Sequence, residues 1–102
     1  MKIQKLGDES DGTRSIEIRS NEISFRSLIR CIRKIPGAEI VYTALDPIND
    51  NAKIILKYKD ITLIIDTPFS DYIVNCSSSS PSFDEFITIL RNYRVKWWER
   101  FF

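Results

Sequence analysis

The chain has no histidine, only three glycines and two cysteines, and no apolar run near the roughly 20 residues that a membrane span requires. Each scarcity excludes something. Without histidine, the side chain that most often serves as a base near neutral pH is missing, and the common nitrogen ligand for zinc is missing with it. Gly7, Gly12 and Gly37 are too few and too dispersed for a phosphate-cradling loop. Cys31 and Cys76 form no CxxC pair, so buried, inert thiols are expected, and a disulfide between them stays open. No apolar stretch follows the lysines of the N-terminal MKIQKLGDES, so no secretory signal is read there. The expectation is a cytoplasmic protein that is not an enzyme, with no metal, no cofactor and no membrane partner.

What is present suits one globular domain. The 102 residues are 43% hydrophobic and 28% charged, enough for a single modest core. The net charge of +1 hides an uneven distribution. From Ile35 to Ala52 the charged residues are Glu39, Asp46 and Asp50, with no Lys or Arg. From Asp60 to Glu85 they are Asp60, Asp66, Asp71, Asp84 and Glu85, again with no cation. Basic residues gather instead in Arg26–Lys34 and Arg91–Arg100. Most runs of this kind are simply solvated faces.

The strongest structural signal runs from Lys53 to Asp66. Ile54, Leu56 and Tyr58 alternate with Lys53, Ile55 and Lys57; after Lys59-Asp60, Ile61, Leu63 and Ile65 alternate with Thr62, Ile64 and Asp66. Period-two alternation on either side of a short break predicts a hairpin. A two-residue loop sets Tyr58 opposite Ile61, Leu56 opposite Leu63, Ile54 opposite Ile65, and Lys53 opposite Asp66 as an opposite-charge pair. All six apolar side chains then share one face.

Around this hairpin the chain reads as alternating short elements. Residues 1–6 form a short strand, and 7–12 (GDESDG) a polar turn or loop. Ile16 and Ile18 mark a strand over 15–20. Ser20 or Asn21 caps a helix whose buried stripe is Phe25, Leu28, Ile29, Ile32 and Ile35, with Arg26, Arg30 and Arg33 opposite; Pro36-Gly37 ends it. Ala38–Leu45 is a strand with Ile40 and Tyr42 on one side and Val41 and Thr43 on the other. The cluster 46–51 is a turn. Thr67-Pro68 interrupts the ladder, and 69–76 resumes it with Tyr72, Val74 and Cys76 on one side. Ser82 and Glu85 match a capping box, opening a long helix with Phe83, Phe86, Ile87, Leu90, Tyr93, Trp97 and Phe101 along its apolar stripe. Core packing is expected for Trp97 and Phe101, which leaves Trp98 and Phe102 as candidates for a protein interface. The sum is an α+β fold, an antiparallel or mixed sheet of four to six strands with two helices packed on one face. The other face would carry Val41, Ile55, Ile64 and Ile73, a half-apolar surface suited to a partner, a dimer mate or a covering segment.

Three stretches together resemble a known family: 69–74 (FSDYIV), 82–90 (SFDEFITIL) and 95–102 (VKWWERFF). They are similar to small bacterial immunity proteins, particularly those paired with contact-dependent growth inhibition toxins. The likeness covers about the last third of the chain, and that family shares no functional motif from which a binding residue could be carried over. What it implies is a cytoplasmic toxin inhibitor, a protein that binds a toxin domain, often a nuclease, and blocks its active site or substrate access. Acid-rich loops without Lys or Arg suit a cationic partner, because complementary charge speeds encounter. On that reading Asp46, Asp50, Asp60, Asp66 and Asp71 are the expected contacts. Two alternatives compete: a nucleic-acid-binding module using Arg26, Arg30, Arg33 and the aromatic tail, which the near-neutral charge does not favour, and a homodimer.

Overall fold

The computed structural model describes residues 1–5, 14–46, 48, 51–67, 71–76 and 80–102. Six strands make one sheet: β1 (Gln4–Lys5), β2 (Arg14–Ile18), β3 (Ala38–Asp46), β4 (Asn51–Tyr58), β5 (Ile61–Asp66) and β6 (Tyr72–Cys76). Their order is β1-β2-β6-β5-β4-β3, with every neighbouring pair antiparallel. Helix α1 (Phe25–Arg33) carries the chain from β2 to β3 at the far edge, and β3 through β6 then fold back until β6 pairs with β2. Helix α2 (Pro81–Asn92) follows β6, and a single 3-10 turn, Trp97–Arg100, comes after it. The fold is α+β, as the patterning predicts.

The central hairpin has the predicted register. Tyr58 faces Ile61, Leu56 faces Leu63, Ile54 faces Ile65, and Lys53 faces Asp66. Ile54, Leu56 and Leu63 are fully buried, and Tyr58, Ile61 and Ile65 nearly so. Burial of each such side chain is worth roughly 1.5–3 kcal/mol, which makes this face the main source of folding energy in the sheet. Lys59 opens the two-residue loop with φ 53°, in the left-handed region that glycine or asparagine occupies more cheaply. Both helices lie on that face. Leu28, Cys31 and Ile32 of α1 and Phe83, Phe86, Ile87 and Leu90 of α2 join the same buried cluster as Ile54, Leu63, Val74 and Ile18. The Tyr58 and Phe86 rings meet at 5.3 Å, tilted by 59°. Both cysteines are buried and neither is in a disulfide, and burial, with Glu99 adding to it, pushes the Cys31 thiol up to about 11.

Four local expectations are corrected. Helix α1 is capped by Ser24, whose hydroxyl accepts from the Ser27 N–H at 3.2 Å, and not by Ser20 or Asn21. The reason lies in tertiary contacts of the preceding turn: Ser20 N–H donates to Asp71 at 2.8 Å, while Ile23 is buried and its carbonyl accepts from the Tyr72 hydroxyl at 3.0 Å. Helix α2 starts two residues earlier than the capping-box motif implies, with Ser80 as cap and Pro81 in its first turn. Glu85 is drawn away to the Tyr58 hydroxyl and the Lys59 ammonium. In β3 a bulge between Ile40 and Tyr42 resets the alternation: Ile40 faces Leu56 on the helix side, whereas Tyr42 faces Ile55 on the open side. Thr43 consequently turns toward the helices, opposite Ile54.

The fourth correction concerns the tail. Helix α2 ends at Asn92, Tyr93 is extended with ψ 125°, and the apolar stripe does not continue into Trp97 and Phe101. These two side chains are 75% and 72% exposed, not core residues. Glu99 causes the change of course. It is 3% exposed and accepts from the Tyr93 hydroxyl at 2.5 Å and the Lys96 N–H at 3.0 Å, while its carbonyl accepts from Ser24 N–H at 2.8 Å. The strand expected from residue 69 begins at Tyr72 among the described residues, and the polar loop 7–12 lies outside them.

Candidate functional site

The site is built where β3 ends, β4 begins and β5 leaves the sheet. Asp46 pairs with Asn51, Leu45 with Ala52, and Lys53 with Asp66, so these residues share one end of the sheet. Along the helix-facing side of β4, Ile54, Leu56 and Tyr58 fill their space with bulk, but the first position is Ala52. Its small side chain leaves room. Two adjoining cavities of about 290 and 310 Å3 open there, both lined by Leu45, Asn51, Ala52 and Thr67. The first also touches Asp46, Lys53 and Asp66, whereas the second runs beneath the sheet toward Phe25 and Tyr72. The buried Thr67 fixes the floor, its hydroxyl accepting from Ala52 N–H at 2.8 Å.

The electrostatics are unbalanced at Asp66. One carboxylate oxygen, Oδ1, is buried and accepts no hydrogen bond among the described residues. Lys53 lies directly across in register, is exposed, and donates none to it, so the expected cross-strand pair is present in position but not as a contact. A buried acceptor left without a donor costs on the order of 1–3 kcal/mol, more for a charged group. Beside it, Asp46 accepts from Ile48 N–H at 3.0 Å, an Asx-type turn that leaves Ile48 90% exposed. Leu45 is 58% exposed on the same rim. Asp46, Asp66 and the apolar Leu45 therefore border one opening, with Ile48 in the turn that Asp46 holds.

The remaining candidates do not all come here. Asp71 is adjacent, next to the Tyr72 that lines the second cavity, but it is tied to Ser20 N–H. Asp60 sits at the opposite end of the hairpin and accepts from the Ser80 and Ser82 hydroxyls at 2.8 and 2.5 Å. Those hydroxyls, Ser82 foremost, hold its carboxyl below the ordinary range. Its role is to anchor the start of α2. Asp50 lies outside the described residues. Trp98 and Phe102 belong to the helical layer: the Arg30 guanidinium lies 5.8 Å from the Trp98 ring and donates to the Phe102 carbonyl at 2.9 Å. Arg30 also donates to Ser27 at 2.6 Å, so the middle of the arginine stripe is already engaged inside the protein.

Leu45, Ile48, Ala52 and Thr67 are site residues that the sequence reading did not single out. Ile48 carried a usable signal, being the one aliphatic side chain in the turn cluster 46–51. Ala52 did not, because its importance comes from what its neighbours on the same face are. No group of three or more His, Cys, Asp or Glu side chains among the described residues could hold a metal ion, and none of their helices is long and apolar enough to cross a membrane. No protein-family model matches this chain, and comparison with curated proteins and with solved structures finds no match.

Proposed function

We propose that the protein binds a cationic protein domain through the β3–β4 end of its sheet and acts as an immunity protein, covering the active site or substrate path of a cognate toxin without chemistry of its own. The observation that carries this reading is the buried, undonated Oδ1 of Asp66 beside an open cavity. An Arg or Lys side chain entering the adjoining cavity would supply the missing donor once the side chains covering Oδ1 shift aside, and charge-assisted bonds of that kind are the strong ones. Leu45 and Ile48 would give the apolar contact from which water is excluded, and Asp46 the steering charge. The likeness of 69–74, 82–90 and 95–102 to immunity proteins supports the same role.

The test is genetic and biochemical together. The gene immediately upstream should encode a large protein with a variable C-terminal domain. Expressed alone, that domain should arrest growth; with this chain it should co-purify as a stable complex and growth should resume. Absence of such a domain, or growth arrest unchanged by the chain, overturns the proposal.

A further inference from the structure

The tail presents a second surface of opposite chemistry. Trp97, Phe101 and Phe102 are 75%, 72% and 66% exposed, and Trp98 is 37% exposed, four rings within six residues. Exposed apolar patches of this density mark an interaction site more often than chance. The rings do not hang on a loose chain end. Buried Glu99 fixes the turn from inside through Tyr93, Lys96 and Ser24, and Arg30 holds the Phe102 carbonyl. Around them stand cations. Lys96 lies 5.9 Å and Arg30 5.8 Å from the Trp98 ring, with exposed Arg94 and Arg100 in the same segment. Between Arg91 and Phe102 the one acidic residue is Glu99, and it faces inward.

We propose that this aromatic ridge docks on the surface of an anionic lipid bilayer, lying in the headgroup region without crossing it. Tryptophan and phenylalanine beside Lys and Arg are the composition that partitions to that boundary, rings into the acyl edge and cations onto the phosphates. A second copy of the chain fits poorly, because stacking two ridges would bring Lys96, Arg94 and Arg100 of each together. A nucleic-acid strand fits poorly as well. Stacking platforms line a groove, whereas these exposed rings line neither of the two cavities. None of the four ring residues lines either cavity at the acidic sheet end, and the expectation of no membrane partner came from the lack of a spanning apolar run, which does not bear on docking at the surface.

The chain's two tryptophans, Trp97 and Trp98, are both in the ridge, so selectively excited tryptophan emission reports on it alone. With vesicles of phosphatidylcholine containing a third phosphatidylglycerol, we expect a blue-shifted emission, co-sedimentation of the protein, and at least tenfold weaker partition to pure phosphatidylcholine vesicles. Raising the salt to 0.5 M should release it. The Trp97→Ser/Phe101→Ser variant, altered only at exposed positions, should keep its circular dichroism and thermal midpoint and lose at least tenfold in vesicle partition. Failure to bind the anionic vesicles overturns the proposal, as does unchanged partition of the double variant. A blue shift produced by a single-stranded oligonucleotide or by polyglutamate, with none produced by vesicles, assigns the ridge to another anion and overturns it equally.

Discussion

Leu56 and Leu63 face each other across the β4–β5 hairpin, and neither has any surface in contact with water. That pairing puts the apolar halves of both strands against the two helices and leaves the polar halves, with Asp66 and Lys53, on the other side. Truncating Leu63 to alanine should cost about 2–5 kcal/mol, since it removes buried atoms and leaves a cavity that neighbouring strands cannot close. Urea unfolding monitored by circular dichroism measures this directly. A loss under 1 kcal/mol would mean that the face is not the core.

Asp66 should behave in the opposite way. Its undonated Oδ1 is a cost to the free protein, so Asp66→Asn, which keeps the shape and removes the charge, should stabilise the fold by about 1 kcal/mol. For a domain of this size that is a rise of roughly 4–8 °C in thermal midpoint. The same change should weaken partner binding. Destabilisation by Asp66→Asn would show that the carboxylate is satisfied in solution and would remove the main support for the site.

Lys59 holds a left-handed backbone conformation at the hairpin turn. Such a conformation costs an L-residue about 1–2 kcal/mol that glycine avoids. Lys59→Gly also gives up the surface contact with Glu85, but solvent screens an exposed ion pair and leaves it little weight. The net expectation is a small gain, read as a higher denaturation midpoint at unchanged slope. A clear loss would show that the Lys59–Glu85 link, not the turn, dominates.

Glu99 makes stability depend on pH. Burial alone would push its carboxyl up, but the Tyr93 hydroxyl, the Lys96 N–H, Lys34 and Lys96 together outweigh it and hold the group below its ordinary value of 4.5. A carboxyl with a lowered folded-state pKa contributes stability that is present above the unfolded value and lost as pH falls through the folded one. Tyr93→Phe removes one donor and should cost about 1–3 kcal/mol at pH 7. It should also flatten the decline of stability below pH 4.5. Parallel pH profiles for the two proteins would contradict this assignment.

These particulars also show where sequence is a sufficient guide. The hairpin register was legible because period-two alternation over two strands and a two-residue loop admit one solution that buries all six apolar side chains. The tail was not. Tyr93, Trp97 and Phe101 have helical spacing, and nothing local reveals that Glu99 binds back to Tyr93 and Ser24 and turns the rings outward. Likewise the bulge that rotates Tyr42 to the open face leaves no local signature, since Ile40, Val41 and Tyr42 all favour strand. In the candidate site, the carboxylates could be read from charge distribution, but their separation could not. Asp60 and Asp71 were absorbed by serine donors from other elements, and the cavity depends on Ala52 standing among larger neighbours.

The most direct measurement is the association rate of this chain with the upstream-encoded domain, taken across ionic strengths for the native protein and for Asp46→Asn/Asp66→Asn. Asparagine at 46 can still accept the Ile48 N–H, so the turn is kept and only charge is removed. Binding to a cationic domain at this end of the sheet predicts a native rate that falls steeply with salt, and a double variant at least tenfold slower at low salt with a flatter dependence. Equal rates and equal salt slopes for the two proteins would contradict the account.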